Sequence, residues 1–188
     1  MTSESTSTRQ KILETASQLF YKKGIPNVGI NEIIAVSGVA KRTLYRHFPS
    51  KDDLILEVMQ HRSAQWLCWF EDAITNRGKT AKERLLAVFD VLEEWYVNPE
   101  FLGCPFINAV LEIADASHPA HHVSIDLRKA IRTYIMQLAS DAGVDDPGSF
   151  SQQYLLLIGG ASLMATIEGN PMGAQYARNA ACVLMDAS

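Results

Sequence analysis

Apolar residues recur at intervals of three and four along almost the whole chain, and no run alternates apolar with polar positions as a half-buried strand does. The pattern predicts helices throughout. Ile12, Ala16, Leu19 and Phe20 share one helix face that stops at Lys22-Lys23-Gly24, basic residues and a glycine being an ordinary C-terminal signal. Ile30, Ile33 and Ile34 mark a short second helix ending at Ser37-Gly38, and a third runs from about Ala40 to His47. Pro49-Ser50 breaks the chain; Ser50 is placed to cap a fourth helix whose first turn carries Asp52 and Asp53, where anions suit the helix dipole. From Lys51 to about Thr75 there is no glycine or proline, and Leu54, Val58, Trp66, Trp69 and Phe70 ride on that helix before Asn76-Arg77-Gly78 ends it. Further helices are predicted over Thr80–Val97, Pro105–Ala114, Pro119–Ala142, Ser149–Glu168 and Pro171–Met185, with Asn170 capping the last and Pro171 as its first residue. The expected fold is all-α, with about nine helices.

Two short helices joined by a glycine turn form the skeleton of a helix-turn-helix. Gly38 supplies the positive φ of the turn, and Ile33, Val39 and Leu44 are spaced to form a small core beneath it. With Leu44 and Phe48 inward, Lys41, Arg42, Thr43, Tyr45 and Arg46 are left outward, as on a helix laid into a major groove. Charge sharpens this reading. The 188 residues carry a net charge of −4, yet residues 1–51 hold eight Lys/Arg against three Glu, and residues 52–188 nine against eighteen Asp/Glu. A basic head on an acidic body points to a polyanion as partner of the head.

The stretch "GVAKRTLYRHFPSKDDL", from Gly38 to Leu54, resembles the signature of the TetR family of bacterial transcriptional regulators. Gly38, Val39, Leu44, Tyr45, His47, Phe48, Ser50, Lys51, Asp52 and Leu54 match its pattern, and the motif region covers about residues 9–56. The stretch "GCPFINAVLEIADASHP" resembles one found in a subset of these regulators. The resemblance implies an N-terminal three-helix DNA-binding domain at 1–50 and a C-terminal helical domain at 51–188 for effector binding and dimerisation. It implies a homodimeric repressor on double-stranded, pseudo-palindromic operator DNA, released by a small molecule. Carried over residue by residue, it makes Lys41, Arg42, Thr43 and Arg46 candidates for base contacts, and Tyr45, His47 and Lys51 candidates for phosphate contacts. Two departures stand out: Gly29-Ile30 replace the Ser or Thr that usually opens the second helix, and Ile34 replaces a small alanine.

The same architecture implies a cavity among the remaining helices. Trp66, Trp69, Phe70, Phe89, Phe106, Asn108, Glu112 and Met136 are its candidate lining, with Asn108 and Glu112, four apart on one helix face, as the polar pair. An apolar or aromatic effector is expected, cationic if Glu112 lacks a basic partner. Small residues cluster on the last two helices, and Leu155, Gly159, Ser162, Ala177 and Ala181 are the candidate dimer interface, small side chains permitting close helix approach. Ala161 belongs to the same stripe.

Other classes of function find less support. "EIADASHPAHH" gathers Glu112, Asp115, His118, His121 and His122, which leaves open a metal-responsive regulator or a metal-dependent enzyme, but Pro119 interrupts the spacing. A regulator answering to a protein partner is the other alternative. No nucleophile elbow, phosphate loop or Cys/His arrangement is present, so no catalysis, resident metal or cofactor is expected. Cys68, Cys104 and Cys182, odd in number and widely spaced, read as reduced thiols. With no signal-peptide pattern and no apolar run approaching about 18 residues, a cytoplasmic protein without a membrane span is expected.

Overall fold

A computed structural model describes residues 7–187. Among them nine helices and no strand are found: α1 (Thr8–Lys23), α2 (Ile30–Ser37), α3 (Lys41–His47), α4 (Lys51–Arg77), α5 (Ala81–Tyr96), α6 (Pro105–Ile113), α7 (Pro119–Asp141), α8 (Pro147–Glu168) and α9 (Met172–Asp186). No helix among the described residues is long and apolar enough to cross a membrane. All three cysteines are free.

Local signals explain most boundaries. The Gly24 N–H donates to the Phe20 carbonyl and closes α1 at a φ of 84°. Ser50 starts α4 by accepting the Asp53 N–H at 3.0 Å while its hydroxyl donates to the Asp53 carboxylate at 2.7 Å. Thr80 and Glu83 form a reciprocal capping box on α5. α8 begins two residues earlier than predicted. The Asp146 carboxylate accepts the Ser149 N–H at 2.9 Å, which makes Pro147 the first helical residue. Asn170 accepts the Met172 N–H at 3.0 Å, but it is not the capping residue: α9 opens at Met172, Pro171 stands at the cap position, and no side chain caps the helix.

The chain forms two compact units. One takes the chain through Ala64 together with Pro105–Ile125; the other takes Gln65–Cys104 and the chain from Asp126 onward. In the first, Ile12, Ala16, Ile33, Leu44, Phe48 and Leu54 are almost fully buried and fix α1, α2, α3 and the start of α4. In the second, Phe70, Leu85, Val88, Phe89, Ile135 and Tyr154 form the core. Two buried phenols pin it: the Tyr154 hydroxyl donates to the Leu85 carbonyl, and the Tyr96 and Ser162 hydroxyls share a hydrogen bond of 2.7 Å. Burial pushes both phenols well above their ordinary range, the Ser162 bond offsetting part of the effect at Tyr96.

Candidate nucleic-acid interface

The turn between α2 and α3 is built from three adjacent residues. Gly38 sits in the left-handed region at φ 66°, and its N–H closes α2 on the Ile34 carbonyl. The buried Ser37 hydroxyl lies 3.4 Å from both the Ile34 carbonyl, to which it donates, and the Val39 N–H, which it accepts. Val39 is buried beside Ile33 and Leu44, as the spacing predicts. Ser37, a stop signal in the sequence, thus also satisfies the turn with its hydroxyl.

α3 is held from below by Leu44 and Phe48, which are 0% and 1% exposed. Lys41, Arg42, Tyr45 and Arg46 are exposed and Thr43 half-buried, so the predicted outward face exists. Lys41, Arg42 and Arg46 make no ion pair among the described residues, whereas Arg9 is paired with Glu57 and Lys23 with Glu32. Three guanidinium or ammonium groups thus stand on two turns with no ion-pair partner among the described residues. His47 is half-buried, its ring tilted against Phe48.

Lys51 is placed differently from its neighbours. Its ammonium donates to the Ile25 carbonyl at 2.7 Å and lies 6.0 Å from the centre of the Phe20 ring, so one of its three N–H donors is engaged inside the unit. At Gly29, the start of α2, no side chain caps the helix, and a Cβ there would meet nothing within 4 Å.

The candidate effector residues fall into separate sets. Within the first unit, Asn108 and Glu112 line a cavity of about 30 Å³ with Ser17, Arg62, Ile55 and Met59, enough for a water or two. Phe106 is buried in the same unit. Arg62 was not foreseen there, although Ile55, Met59, Arg62 and Trp66 form one stripe of α4 and a cation within it was a visible signal. The Arg62 guanidinium lies 4.5 Å from the centre of the Tyr21 ring, and burial lowers its pKa, the Tyr21 phenol acting the other way. The Glu112 carboxylate accepts the Ile25 N–H at 2.7 Å.

Within the second unit Trp66 stacks on Phe70 at 4.6 Å and tilts against Trp69 and Trp95 at 6.2 and 5.6 Å. Trp95 meets Phe101 edge-on at 5.1 Å. Phe70 and Phe89 are both fully buried, Phe70 under Trp66 and Phe89 against Tyr154 at 5.1 Å. Trp69 and Met136 are exposed.

The predicted interface needs the larger correction. Leu155, Ser162, Ala177 and Ala181 are buried inside the chain, as is Ala161, because α8 and α9 use them to pack on each other and on α5. A Cβ on Gly173 would come within 3.1 Å of the Ala161 carbonyl, which shows how close that internal approach is. Gly159 is half-buried, and a Cβ on Gly159 or Gly160 would meet nothing within 4 Å. The outward faces instead carry Leu156, Leu163 and Ile167 on α8, and Tyr176 and Val183 on α9, all exposed.

The acidic and histidine residues of the α6–α7 turn have other partners. His118 Nδ1 accepts the Ala120 N–H at 3.1 Å, and its Nε2 lies 3.7 Å from Asp52. Ser117 donates twice to Asp115, which holds that carboxyl below its usual range. Among the described residues no group of three His, Cys, Asp or Glu is placed to hold a metal ion, so no observation favours the metal-dependent alternatives.

Comparison with known proteins agrees with this geometry. The family described as "Bacterial regulatory proteins, tetR family" matches residues 12–58, which span the helix-turn-helix and the start of α4. The chain is 26% identical over 152 residues to the HTH-type transcriptional regulator YjdC of Escherichia coli, covering 81% of this chain and 80% of that protein. It is 30% identical to the solved structure of a TetR transcriptional regulator from Streptomyces avermitilis, with a TM-score of 0.84 over 96% of this chain and 97% of the other. The TetR-family regulator SCO4454 of Streptomyces coelicolor superposes with a TM-score of 0.88 at 28% identity, over 96% and 89% of the two chains.

Proposed function

The chain belongs to the TetR family of bacterial regulatory proteins, a DNA-binding transcriptional regulator, and on that premise we propose a homodimeric, cytoplasmic, non-enzymatic repressor released from its operator by a small molecule. Residues 1–50 hold the DNA, and 51–188 dimerise and sense the effector. The carrying observation is the α3 face: among the described residues Lys41, Arg42 and Arg46 stand without ion-pair partners, on a helix locked by Leu44 and Phe48. Arg and Lys in this setting pair with guanine edges and phosphates. Tyr45, Thr43 and His47 add hydrogen-bonding groups beside them, and the free donors of Lys51 extend the phosphate contacts.

Support for a dimer comes from the exposed apolar residues of α8 and α9. Leu156, Leu163 and Ile167 form one stripe, and Gly159 and Gly160 have no internal neighbour that explains a missing Cβ. Helix-interior glycines each cost about 1 kcal/mol, and the close approach of a second protomer's helix gives them a use. The effector is read as an apolar, ring-containing molecule, supported by the accessible tryptophans Trp66, Trp69 and Trp95. Since the Glu112 carboxylate already holds the Ile25 N–H, the ground for a cationic effector falls away.

The test is selection of duplexes from a random-sequence library with the purified protein. An inverted repeat, with half-sites about one helical turn apart or a multiple of it, is expected. Recovery of unrelated sequences, or of a single asymmetric site, contradicts the reading.

A further inference from the structure

We propose that Glu112 is a positioning residue for DNA recognition: through its carboxylate, α6 holds the α1–α2 loop in the conformation that launches the helix-turn-helix. This rests on the reading that α3 binds DNA. The loop runs from Gly24 to Gly29, and α2 begins directly after it. One residue in it, Ile25, is gripped at both of its backbone polar groups. The Ile25 N–H donates to Glu112 Oε2 at 2.7 Å, and the Ile25 carbonyl accepts from the Lys51 ammonium at 2.7 Å. Anion on the N–H and cation on the carbonyl match the polarity of the backbone, and charge-assisted bonds are the strong ones.

The remaining loop contacts make this grip consequential. The Asn27 side-chain amide closes the turn on the Lys23 carbonyl at 2.8 Å, and Val28 is fully buried just before α2 starts. Ile25 itself is 7% exposed, so an amide released from Glu112 finds little water to replace it. The contact joins residues 87 apart in sequence. Arg62 lines the same cavity as Glu112, yet no ion pair joins them; the carboxylate goes to the amide. A displacement of α6 therefore withdraws the acceptor from the Ile25 amide and frees the loop that sets the start of α2.

The experiment uses full-length wild type, Glu112→Gln and Glu112→Ala, with amide hydrogen exchange resolved at Ile25 and affinity for a duplex selected by the wild type. Glu112→Ala should speed Ile25 exchange by about tenfold or more, leave exchange around Leu54–Val58 unchanged, and weaken operator binding by a similar factor. Glu112→Gln retains an oxygen acceptor and should restore most of both. Unchanged Ile25 exchange in Glu112→Ala, or equal loss of DNA binding in the glutamine variant, overturns the proposal. If Glu112→Ala does not fold, the wild type decides: an Ile25 amide exchanging as an open amide refutes the contact. If the wild type selects no DNA, the proposed function fails, while the exchange measurement still tests the latch.

Discussion

Replacing Ile167 by aspartate tests the assignment of the α8–α9 outer face as the dimer interface. Ile167 is 72% exposed, so it contributes little to the fold of its own chain. Full burial of a side chain of this size is worth about 2 kcal/mol. Covering the exposed part on dimerisation therefore contributes about 1.5 kcal/mol for each protomer. In a twofold interface both copies lose it, about 3 kcal/mol in all, and the uncompensated carboxylate adds a desolvation cost. The dimer Kd should rise at least about a hundredfold. Sedimentation velocity over a concentration series reads the monomer–dimer equilibrium, and circular dichroism confirms that helicity is retained. Ala161→Trp is the contrasting control: at 2% exposure it sits inside the α8–α9 packing and should unfold the second unit rather than split a dimer. An unchanged dimer Kd for Ile167→Asp, with the fold intact, refutes the assignment.

Two further predictions concern stability. Gly29→Ser places a capping hydroxyl at the start of α2, where the backbone is extended and a Cβ meets nothing within 4 Å. It should stabilise by about 0.5–1 kcal/mol, seen as a Tm raised by about 1–4 °C in calorimetry. Tyr154→Phe leaves the Leu85 carbonyl without its buried donor and should cost about 1–3 kcal/mol in urea unfolding. Burial raises the Tyr154 pKa above its ordinary 10.0, so its contribution to stability is complete below about pH 10 and is lost as the pH rises beyond it, where the unfolded chain releases the proton first. The phenylalanine variant should therefore lose stability less steeply than wild type above pH 10.

How far the sequence reaches differs between the two ends of the chain. The helix-turn-helix is legible because each step is marked by a residue that can do little else. Gly38 takes a left-handed turn, Leu44 and Phe48 are the apolar positions of a short basic helix, and Ser50 with Asp53 forms a cap. Lys51 is less legible, since a long cation beside the turn fits either a phosphate or a carbonyl, and the fold brings the Ile25 carbonyl to it. α8 is apolar on every face; "YLLLIGGASLMA" gives no phase, so Leu155 and Leu156 look alike until α5 and α9 bury the first and leave the second outside. Small residues are ambiguous for the same reason, Ala161 and Ala177 serving internal packing while Gly160 faces out. Phe89 was drawn into the core by Tyr154, a partner 65 residues away that no local pattern reveals. The place of Glu112 depends on α6 joining the N-terminal helices, a tertiary event without a sequence mark.

The central claim is that α3 reads base sequence, and the ratio of affinities for the selected duplex and for random duplex tests it most directly. Fluorescence anisotropy at fixed salt should show wild type discriminating strongly between the two. Arg42→Ala should lose about 1–3 kcal/mol on the selected duplex and far less on random DNA, so that discrimination falls. Equal losses on both duplexes, or no loss on either, would contradict a base-reading role for this face of α3.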